Sequence, residues 1–544
     1  MMSADPASRP GQGQAPEPCV TAPTASAGPA SEVPFRALSD LIRAHARQRP
    51  MAEALCDEGT RLSWLQLDRH MDRIAAHLQQ QGLQPGEVVA IWAGTTVASA
   101  CIFLGALRAG AAVAPLSPSV TVEEGQRMLQ DAQARWVFAD AHTPSPSRLE
   151  DWMAPEGSVP QPWTPQPEDP FNIIYSSGTT GTPKGIVQPH RMRWMHVRRG
   201  EAYGYGPDSR TLLSTPLYSN TTLVAFMPTL GWGGCVHLMG KFDAGHWLQT
   251  AERERITHTM LVPVQYRRLL DHPALDATDL RSMRMKFCTS APFSAELKAE
   301  VLRRMPGGLV EFYGMTEGGG TCILEAHLHP DKLHTVGRPS PGHDIRLIDE
   351  EGVELPPSAI GEVVGRSPAM MSGYHRRPEA TREAQWHNAQ GQCYIRTGDV
   401  GRFDEDGFLV LMDRRKDMII SGGFNLYPSD LEALLRTHPA VADAAVVGVA
   451  SRRWGETPVA WVVLQRRSEE SSRQRGEGPL QGRVDGLGAD PTTELLNWFN
   501  ARCGRTQRLA GLAFIDELPR SAIGKVLKRE LRERWAASNP EPIP

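Results

Sequence analysis

The sequence lacks the features of a membrane-spanning or disulfide-stapled protein. Its eight cysteines are scattered singly and form no Cys-X-X-Cys pair, so the pattern indicates neither a zinc site nor a disulfide framework. No stretch approaches the ~18 uninterrupted apolar residues of a membrane-spanning helix. No basic segment followed by an apolar run marks a secretory signal. These absences predict a protein of the reducing cytoplasm with no integral membrane segment.

An excess of basic residues is also missing. Lysine and arginine total 58 against 62 for aspartate and glutamate, which gives a formal net charge of −4. Proteins that bind nucleic acid or anionic membranes through a general field carry a basic excess or a polybasic run. We therefore expect no nucleic-acid partner, and any phosphate-binding site must be built from local groups.

What is present is an extended α/β pattern preceded by a polar segment. Residues 1–32 are rich in Ala, Pro, Ser and Gly and hold almost no large apolar side chain, so we expect a disordered extension. Beyond it, buried strands are predicted at Val88–Trp92 and Ala112–Leu116 around a helix over 98–108. This is the βαβ signature of a parallel sheet, and the alternation continues as far as Tyr313.

Further on, short apolar runs bounded by Gly, Pro and Asp indicate antiparallel β structure. The expected fold class is α/β. A large N-terminal domain over 33–413 would contain α/β layers with parallel sheets and a small β-barrel-like part. The charged run from Arg414 to Asp417 ends that pattern, and residues 414–544 predict a small mobile α+β domain. Within it, residues 466–492 are charged and Gly-rich and are expected to form a mobile insertion.

A loop rich in hydroxyl side chains and glycine follows a short predicted strand at Asn172–Tyr175. Its candidate ligand-binding residues are Ser176, Ser177, Gly178, Thr179, Thr180, Gly181, Thr182 and Lys184. Successive backbone N–H groups in such a loop form an anion-binding concavity, and the lysine adds a charge suited to phosphate. The loop is not a Walker A motif, because Pro183 precedes the lysine and Gly185 follows it. A polyphosphate cradle and a mobile surface loop both fit these residues.

A second glycine-rich turn, over 311–320, carries a carboxylate. Glu317 precedes three glycines, and such a carboxylate is a candidate Mg²⁺ ligand when phosphate groups share the metal. Tyr313 in the same stretch is a candidate for stacking on a nucleobase. Upstream, the small-residue turn Thr289–Phe293 follows a predicted strand at 286–288, and such turns line ligand crevices in open α/β sheets. Glu317 as an ordinary loop or cap residue is the competing interpretation.

Two further candidate groups lie nearer the C-terminus. Asp399 follows Thr397 and Gly398 at a predicted turn and, with Arg414, offers groups suited to ribose hydroxyls or a phosphoryl oxygen. Gly-Asp pairs also mark ordinary turns, and charged runs are usually solvated. Lys525 stands in a short loop at the start of a basic helix predicted over 525–535, and most lysines in that setting are solvated.

Taken together, the four groups resemble the AMP-forming acyl/aryl-CoA synthetase superfamily, the adenylate-forming ligases, in its stand-alone acyl-CoA ligase type. The resemblance extends from Phe35 to Trp535, with all four motifs in the family's order and spacing. It implies ATP-dependent activation of a small-molecule carboxylic acid to acyl-AMP and pyrophosphate, then thioesterification to acyl-CoA and AMP. It also implies ATP, Mg²⁺ and CoA as ligands, and a monomer or homodimer.

The resemblance implies a role for each candidate residue. The loop from Ser176 to Lys184 would hold the β- and γ-phosphates, Glu317 would bind Mg²⁺, and Thr316 would contact the α-phosphate. The residues implied for adenosine are Tyr313, Ser290, Ala291, Pro292, Asp399 and Arg414. Lys525 would bridge the carboxylate and the α-phosphate during adenylation. The small domain would then rotate about a hinge and open a channel for pantetheine. The hinge residue is Lys416, and the channel residues are Ser421, Gly422 and Gly423.

The predicted acyl pocket is where this sequence departs from the family. Its wall would comprise Tyr218, Ser219, Val262, Tyr266, Gly314, Met315 and Gly319. Many members of the family carry a histidine where this chain has Ser219, and amino-acid-activating members carry an aspartate that this region lacks. The wall is apolar and partly small, which favours a fatty, aromatic or alicyclic acid. There are two alternatives to an acyl-CoA ligase. The enzyme would transfer the acyl group to a carrier protein instead of CoA, or the protein would bind nucleotide without catalysis.

Overall fold

The computed structural model describes residues 34–140, 146–176, 184–414, 417–421, 424–465, 490–504, 507–521, 524–539 and 541–543. For five of these only the backbone is described: Ser176, Asp413, Arg414, Phe424 and Asn425. The α-helices are α1 Leu38–Gln48, α2 Trp64–Gln80, α3 Val97–Ala109, α4 Val122–Ala132, α5 His190–Arg199, α6 Asn220–Gly231, α7 Ala244–Arg253, α8 Pro263–Leu270, α9 Ala295–Arg304, α10 Pro378–Glu383, α11 Pro428–Arg436, α12 Pro491–Asn500 and α13 Lys528–Ser538.

The strands of the described residues belong to four sheets. They are β1 Glu53–Cys56, β2 Arg61–Ser63, β3 Val88–Trp92, β4 Ala112–Leu116, β5 Trp136–Ala139, β6 Pro170–Ser176, β7 Lys184–Pro189, β8 Arg210–Leu213, β9 Cys235–Leu238, β10 His258–Leu261, β11 Met285–Cys288, β12 Gly308–Met315, β13 Gly318–Glu325, β14 Arg338–Pro339, β15 Asp344–Ile348, β16 Glu354–Leu355, β17 Gly361–Arg366, β18 Gly373–Tyr374, β19 Gln385–His387, β20 Cys393–Phe403, β21 Leu409–Arg414, β22 Ile419–Ser421, β23 Phe424–Leu426, β24 Val441–Ser451, β25 Gly455–Leu464 and β26 Gly511–Phe514.

Two mostly parallel sheets make up the first part of the chain. The nine-stranded sheet has the order β14-β13-β12-β11-β10-β8-β9-β1-β2 and is parallel from β1 through β9, β8, β10 and β11 to β12. The six-stranded sheet has the order β18-β7-β6-β4-β3-β5, in which β6, β4, β3 and β5 are parallel. Parallel neighbours need crossover connections, which the helices between them supply. The predicted α/β fold class is confirmed.

Local sequence determines where the helix between β3 and β4 begins and ends. Thr96 caps α3: its hydroxyl accepts from the Ser99 N–H, and the Ser99 side chain accepts from the Thr96 N–H in return. Gly110 ends the helix at a φ of 96°, a left-handed backbone conformation that other residues disfavour. The helix predicted over 98–108 is therefore confirmed and is one residue longer at each end.

The largest core lies between the two parallel sheets. Helices α2, α3 and α6 are packed there among apolar side chains of both sheets, such as Ile91, Val236 and Phe287. Helices α7, α8 and α9 cover the opposite face of the nine-stranded sheet, around Trp247 and Val301. Because its central strands are buried on both faces, they appear in the sequence as short continuous apolar runs.

The predicted antiparallel β structure is confirmed in the sheet that follows β14, whereas the C-terminal sheet also contains the parallel pair β25–β26. Strands β16-β15-β17-β20-β19, with β21 beside β20, form a six-stranded sheet. The C-terminal region has a five-stranded sheet of β23-β22-β25-β24 with β26 beside β25, and α11, α12 and α13 pack on it. From Arg36 onwards the described residues form one compact unit. The predicted domain limits at residues 413 and 414 remain predictions.

Helix α13 begins later than the sequence predicts. It starts at Lys528, whereas a helix over 525–535 was expected. Two features keep the preceding residues out of the helix: Gly524 has a φ of 78°, and Val526 forms a β-bridge with Arg520. Residue 525 therefore belongs to a turn.

Helix α12 begins inside the predicted insertion 466–492. It starts at Pro491 because the Asp490 side chain caps it by accepting from the Thr493 N–H. The rest of that insertion, residues 466–489, lies outside the described residues, as does the N-terminal extension 1–32.

The fold brings together cysteines that are far apart in the sequence. The Sγ atoms of Cys56 on β1 and Cys235 on β9 are 3.7 Å apart, and His237 Nε2 lies 3.5 Å from Cys235 Sγ. All three side chains are buried and could serve as metal ligands. Sequence spacing gave no sign of this cluster, because it depends on the parallel pairing of β1 with β9.

A buried ion pair holds β12 against α9. Lys298 Nζ lies 2.5 Å from Glu311 Oε2 and also donates to the carbonyls of Leu333 and Thr335. The two charged side chains are 2% and 6% exposed. Removing one partner of such a pair leaves the other charge buried without compensation.

We expect Lys298→Met to lower the free energy of unfolding by about 3–5 kcal/mol. Lys298→Met combined with Glu311→Leu should recover part of that loss, because no charge is then left buried. Urea unfolding followed by tryptophan fluorescence measures both variants. Lys241→Met, at an exposed position, is the control and should leave the midpoint nearly unchanged. Equal losses in the single and double variants would contradict the unpaired Glu311 as the cause.

Candidate active site

Four neighbouring strands of the nine-stranded sheet end at one edge. Strands β8, β10, β11 and β12 are parallel, so the residues after their carboxyl ends lie side by side. Those segments are Ser214–Asn220, Val262, Thr289–Pro292 and Thr316–Glu317. Open α/β sheets bind ligands at this edge. Each of the four segments contains residues that the sequence assigned to ligand binding.

A tyrosine from a distant strand orients the Glu317 carboxylate. Tyr374 on β18 donates from its hydroxyl to Glu317 Oε1 at 2.9 Å, and Lys184 Nζ lies 5.1 Å from the centre of the Tyr374 ring. Burial and the Glu317 charge raise the pKa of Tyr374, so the hydroxyl keeps its proton and remains a donor. One oriented carboxylate suits Mg²⁺, which takes one or two carboxylates from proteins and its other ligands from phosphate and water.

The backbone of the same turn is also held in place. Gln188 on β7 donates from Nε2 to the Thr316 carbonyl at 2.6 Å, and the Met371 N–H donates to the Glu317 carbonyl at 2.8 Å. Gly318 follows with a φ of 84°, and a Cβ there would lie 2.0 Å from a carbonyl oxygen. A larger residue at Gly318 would therefore displace the turn.

The predicted phosphate loop joins β6 to β7. Its two ends are paired, because Ser176 lies opposite Lys184 in the antiparallel ladder. The six loop residues Ser177, Gly178, Thr179, Thr180, Gly181 and Thr182 lie outside the described residues. Their contact with phosphate stays a prediction, and the described Lys184 places the end of the loop beside the Tyr374–Glu317 pair.

Two residues predicted to bind the nucleoside are in contact. Tyr313 on β12 donates from its hydroxyl to Asp399 Oδ2 at 2.8 Å. Burial and this carboxylate raise the pKa of Tyr313 well above its usual value. Asp399 lies opposite Arg414 in the ladder between β20 and β21. The predicted base-stacking tyrosine and the predicted ribose residues are thus neighbours.

The turn after β11 has a strained residue. Ser290 has a φ of 81°, which is uncommon for a residue with a Cβ. Its hydroxyl oxygen lies 2.5 Å from that of Thr221 on α6. Ala291 is half-buried and Pro292 is exposed. The hydroxyl pair ties this predicted nucleotide-binding turn to α6.

The Lys525 turn packs against the strand edge. The Ser521 N–H donates to the Lys525 carbonyl at 2.8 Å, which closes the turn. A Cβ on Gly524 would lie 3.3 Å from Val264 Cγ1 and 3.6 Å from Val262 Cγ2, so the turn rests on the start of α8. The structure therefore places a lysine of the C-terminal region beside the segment that follows β10.

Tyr266 is not brought to the predicted acyl pocket. It has no exposed surface, and its hydroxyl donates to the Phe287 carbonyl at 2.9 Å within the core behind the sheet. Gly319 is also enclosed, since a Cβ there would lie 3.1 Å from the Gly365 carbonyl oxygen. Met315 is half-buried and packs against the cluster of Ile186, Met371 and Ile395.

The other predicted pocket residues lie at the strand edge. Gly314 is exposed, Tyr218 is half-buried, and Val262 is the residue under the Lys525 turn. Ser219 is buried and caps α6 by accepting from the Thr221 N–H at 3.2 Å. The serine that replaces the family's histidine therefore begins a helix in this chain.

The predicted hinge and channel are only partly described. Lys416, Gly422 and Gly423 lie outside the described residues. Ser421 is buried on β22, opposite Phe424 in the antiparallel ladder. The roles of these four residues stay predictions.

Comparison with known proteins identifies the family of this chain. Residues 42–375 match the AMP-binding enzyme family, and residues 430–525 match the AMP-binding enzyme C-terminal domain. The chain belongs to the AMP-binding enzyme family. It is 34% identical over 509 residues to a feruloyl-CoA synthase of an Amycolatopsis species, which covers 90% of this chain and 97% of that protein.

Two further relatives of this AMP-binding enzyme extend the comparison. It is 31% identical over 525 residues to the fatty acid–acyl-carrier-protein ligase ScoC of Streptomyces coeruleorubidus, with coverage of 90% and 95%. ATP-bound MatB from Rhodopseudomonas palustris superposes with a TM-score of 0.80 at 28% identity, covering 91% of this chain and 99% of that one. The predicted superfamily and enzyme class, an AMP-forming acid–thiol ligase, are confirmed. None of the helices in the described parts of the chain is long and apolar enough to cross a membrane.

Sequence reasoning missed several residues that contact predicted site residues, among them Tyr374, Gln188 and Thr221. Tyr374 reaches Glu317 because β18 pairs with β7 on the edge of the six-stranded sheet. That pairing joins segments far apart in the chain and leaves no periodic signal. The preceding Gly373, with a φ of 145°, is the local sign of a special backbone position.

We expect Tyr374→Phe to lower kcat/KM for ATP by about tenfold, because a hydrogen bond to a charged group contributes about 1.5–3 kcal/mol. The KM for the acid should change little, and higher Mg²⁺ should restore part of the rate. Pyrophosphate release at varied Mg²⁺ measures this. Tyr394→Phe is the matched control, since the Tyr394 hydroxyl donates to Asp344. A similar loss in both variants would argue against a specific role for Tyr374.

Proposed function

We propose that this protein joins a carboxylic acid to the thiol of CoA through an acyl-AMP intermediate. In the first step the acid's carboxylate attacks the α-phosphate of ATP and pyrophosphate leaves. In the second step the thiol attacks the acyl carbon, AMP leaves, and the thiol proton passes to solvent. The observation that carries the proposal is the meeting of the Glu317–Tyr374 pair, the Tyr313–Asp399 pair and the Lys525 turn around one strand edge.

Charge repulsion is the main obstacle to the first step, because an anion approaches a triphosphate. Catalysis must then come from positioning and from fixed positive charge. Lys184 and Lys525 would supply that charge from two sides. Glu317 would hold a Mg²⁺ that neutralises phosphate oxygens, and the hydrogen bond from Tyr374 would keep the carboxylate in place. Thr316 would contact the α-phosphate, and the loop 176–184 the other two phosphates.

The nucleoside would lie on the Tyr313 side of β12. Tyr313 and the turn Ser290–Pro292 would enclose the adenine. Asp399 would accept hydrogen bonds from the ribose hydroxyls, and Arg414 would add a donor. The direct contact of Tyr313 with Asp399 and the pairing of Asp399 with Arg414 support this assignment.

The second step requires the Lys525 turn to leave, so that the thiol reaches the acyl carbon. One described contact that holds the C-terminal region here is the exposed pair of Arg268 with Glu517, at 3.3 Å. Such pairs contribute only about 0–1 kcal/mol, which is compatible with rotation about a hinge at Lys416. The rotation would bring the channel residues Ser421, Gly422 and Gly423 to the site.

We expect Lys525→Ala to lower acyl-AMP formation by about 10²–10³-fold, the usual effect of removing a group that stabilises transition-state charge. Thioesterification of supplied acyl-AMP should be nearly unchanged. Pyrophosphate release measures the first half-reaction, and chromatography of acyl-CoA measures the second. Arg529→Ala, at an exposed position of α13, is the control. Equal loss in both half-reactions would reject this division of labour.

Two candidate functions differ in the thiol that accepts the acyl group, which is either CoA or a carrier protein. Similarity to the acyl-carrier-protein ligase ScoC favours a carrier protein as the second candidate acceptor. Free CoA should give acyl-CoA if our proposal is correct, whereas acyl-AMP that accumulates in the presence of CoA would favour the carrier. Pyrophosphate release from a panel of fatty, aromatic and alicyclic acids tests the adenylation itself. Nucleotide binding without release from any acid would favour a non-catalytic role.

A further inference from the structure

A group of two arginines and two histidines lies next to the proposed acid-binding region. It consists of Arg193, His196 and Arg199 on α5 and His343 just before β15. Among the residues that the structure describes, none of the four forms an ion pair with a carboxylate. Arg193 donates instead to three neutral amide side chains, those of Asn172, Gln188 and Asn220. A buried cationic group without an acidic partner is unusual, because buried charges are normally paired.

Arg199 is the member of this group whose side chain forms no hydrogen bond with a described residue. Its Cζ atom lies 4.2 Å from the centre of the Phe312 ring, and burial lowers its pKa. No described residue accepts a hydrogen bond from its guanidinium, which has five N–H donors. Its side chain is nevertheless only half-buried. A half-buried guanidinium with unused donors is well placed to bind an anion.

The two histidines next to Arg199 present further donors. His343 Nδ1 accepts from the Thr321 N–H at 2.9 Å, so its proton is on Nε2. Burial and the Arg199 charge lower the pKa of His343 to about 4, which keeps the ring neutral at physiological pH. His196 Nδ1 lies 3.3 Å from a guanidinium nitrogen of Arg193, which leaves its proton on Nε2 as well. The group therefore offers positive charge and N–H donors.

Two contacts connect this group to the strand edge. Gly314 follows Phe312 by two positions on β12, at an irregularity of the ladder with β13 that lies between Tyr313 and Met315. Gly314 is exposed, and a Cβ there would lie 3.4 Å from Oγ1 of Thr321, the residue whose N–H binds His343. Two residues of a strand span about 7 Å. Arg199 contacts the Phe312 ring, so it lies near Gly314 and on the side of the strand opposite Tyr313.

We propose that Arg199, with His196 and His343, binds a second carboxylate at the end of the substrate remote from the carboxylate that is adenylated. The substrate class would then be dicarboxylic acids with an aryl or short-chain spacer. A guanidinium binds a carboxylate through two parallel hydrogen bonds, and the second carboxylate would supply the negative charge that this group lacks. The inference rests on the proposed function and specifies its substrate.

The test uses three acids that differ only at the far end of the molecule: para-carboxyphenylpropanoic, para-hydroxyphenylpropanoic and para-methylphenylpropanoic acid. We expect kcat/KM for pyrophosphate release to be at least about tenfold higher with the carboxy acid than with the methyl acid, since a site built for polar contacts rejects analogues that leave it unpaired. Equal or better use of the methyl or hydroxy acid overturns the inference.

Arg199→Met should abolish the preference by lowering kcat/KM for the carboxy acid about tenfold without lowering that for the methyl acid. Arg199→Lys keeps the charge but not the two parallel hydrogen bonds, so it should retain part of the preference even if the methionine variant folds poorly. Arg198→Met is the matched control on the same helix and should behave as wild type. A preference that survives Arg199→Met overturns the inference.

A wider panel separates this inference from the proposed function. Pyrophosphate release from fatty, aromatic and alicyclic acids without any preference for a second carboxylate would overturn the subsite alone. No release from any acid, in an enzyme whose thermal unfolding shows it to be folded, would overturn both.

Discussion

The hydrogen bonds around the turn between β12 and β13 connect the two parallel sheets at the point where the candidate ligand groups meet. Gln188 and Tyr374 come from the six-stranded sheet, and they hold Thr316 and Glu317 of the nine-stranded sheet. Both the backbone and the carboxylate of the turn are fixed, so it cannot shift without breaking contacts between the sheets. The position of the candidate metal ligand is therefore set by the packing of the whole N-terminal part of the chain.

The basic side chains inside this fold differ in whether they have an acidic partner. Lys298 lies next to Glu311, so the two charges compensate each other, and the ion pair holds β12 against α9. Arg193 has only neutral partners among the described residues, three amides and His196, and Arg199 contacts an aromatic ring. A net charge of −4 gives no general attraction for anions. Selectivity for an anionic ligand must then come from places where the fold leaves positive charge without an acidic partner, and α5 is such a place.

The sequence predicted well those features that depend on neighbouring residues. Strands β3 and β4 and the helix between them follow from local apolar patterns and from the Thr96 cap and Gly110. It predicted the four motif groups but not the contacts that complete them. Tyr374 meets Glu317 only through the pairing of β18 with β7, and Arg199 meets Phe312 only because α5 packs in the core. Long-range packing of this kind leaves no periodic signal in one sequence.

The predicted acyl pocket is a second case in which the sequence did not reveal long-range packing. Tyr266 and Gly314 were assigned to one wall, yet Tyr266 is enclosed behind the sheet and Gly314 is exposed at its edge. The sequence showed that both residues are close to strand ends. It did not show which face of the sheet each residue occupies. Tyr266 lies on α8, whose position behind the sheet follows from long-range packing, and the phase of a buried strand such as β12 is hidden when both of its faces are apolar.

Strand β12 explains how one site can hold two ligands that must react. Successive side chains of a strand point to opposite faces. Tyr313 points to Asp399, on the side proposed for the nucleoside, and Phe312 points to Arg199, on the side proposed for the acid. The two ligands would thus be separated by the strand and would meet only where it ends, at Thr316. In the proposed mechanism, a lysine carried by a separate turn at that same end would reach both, and its departure would expose the acyl carbon without disturbing either binding face.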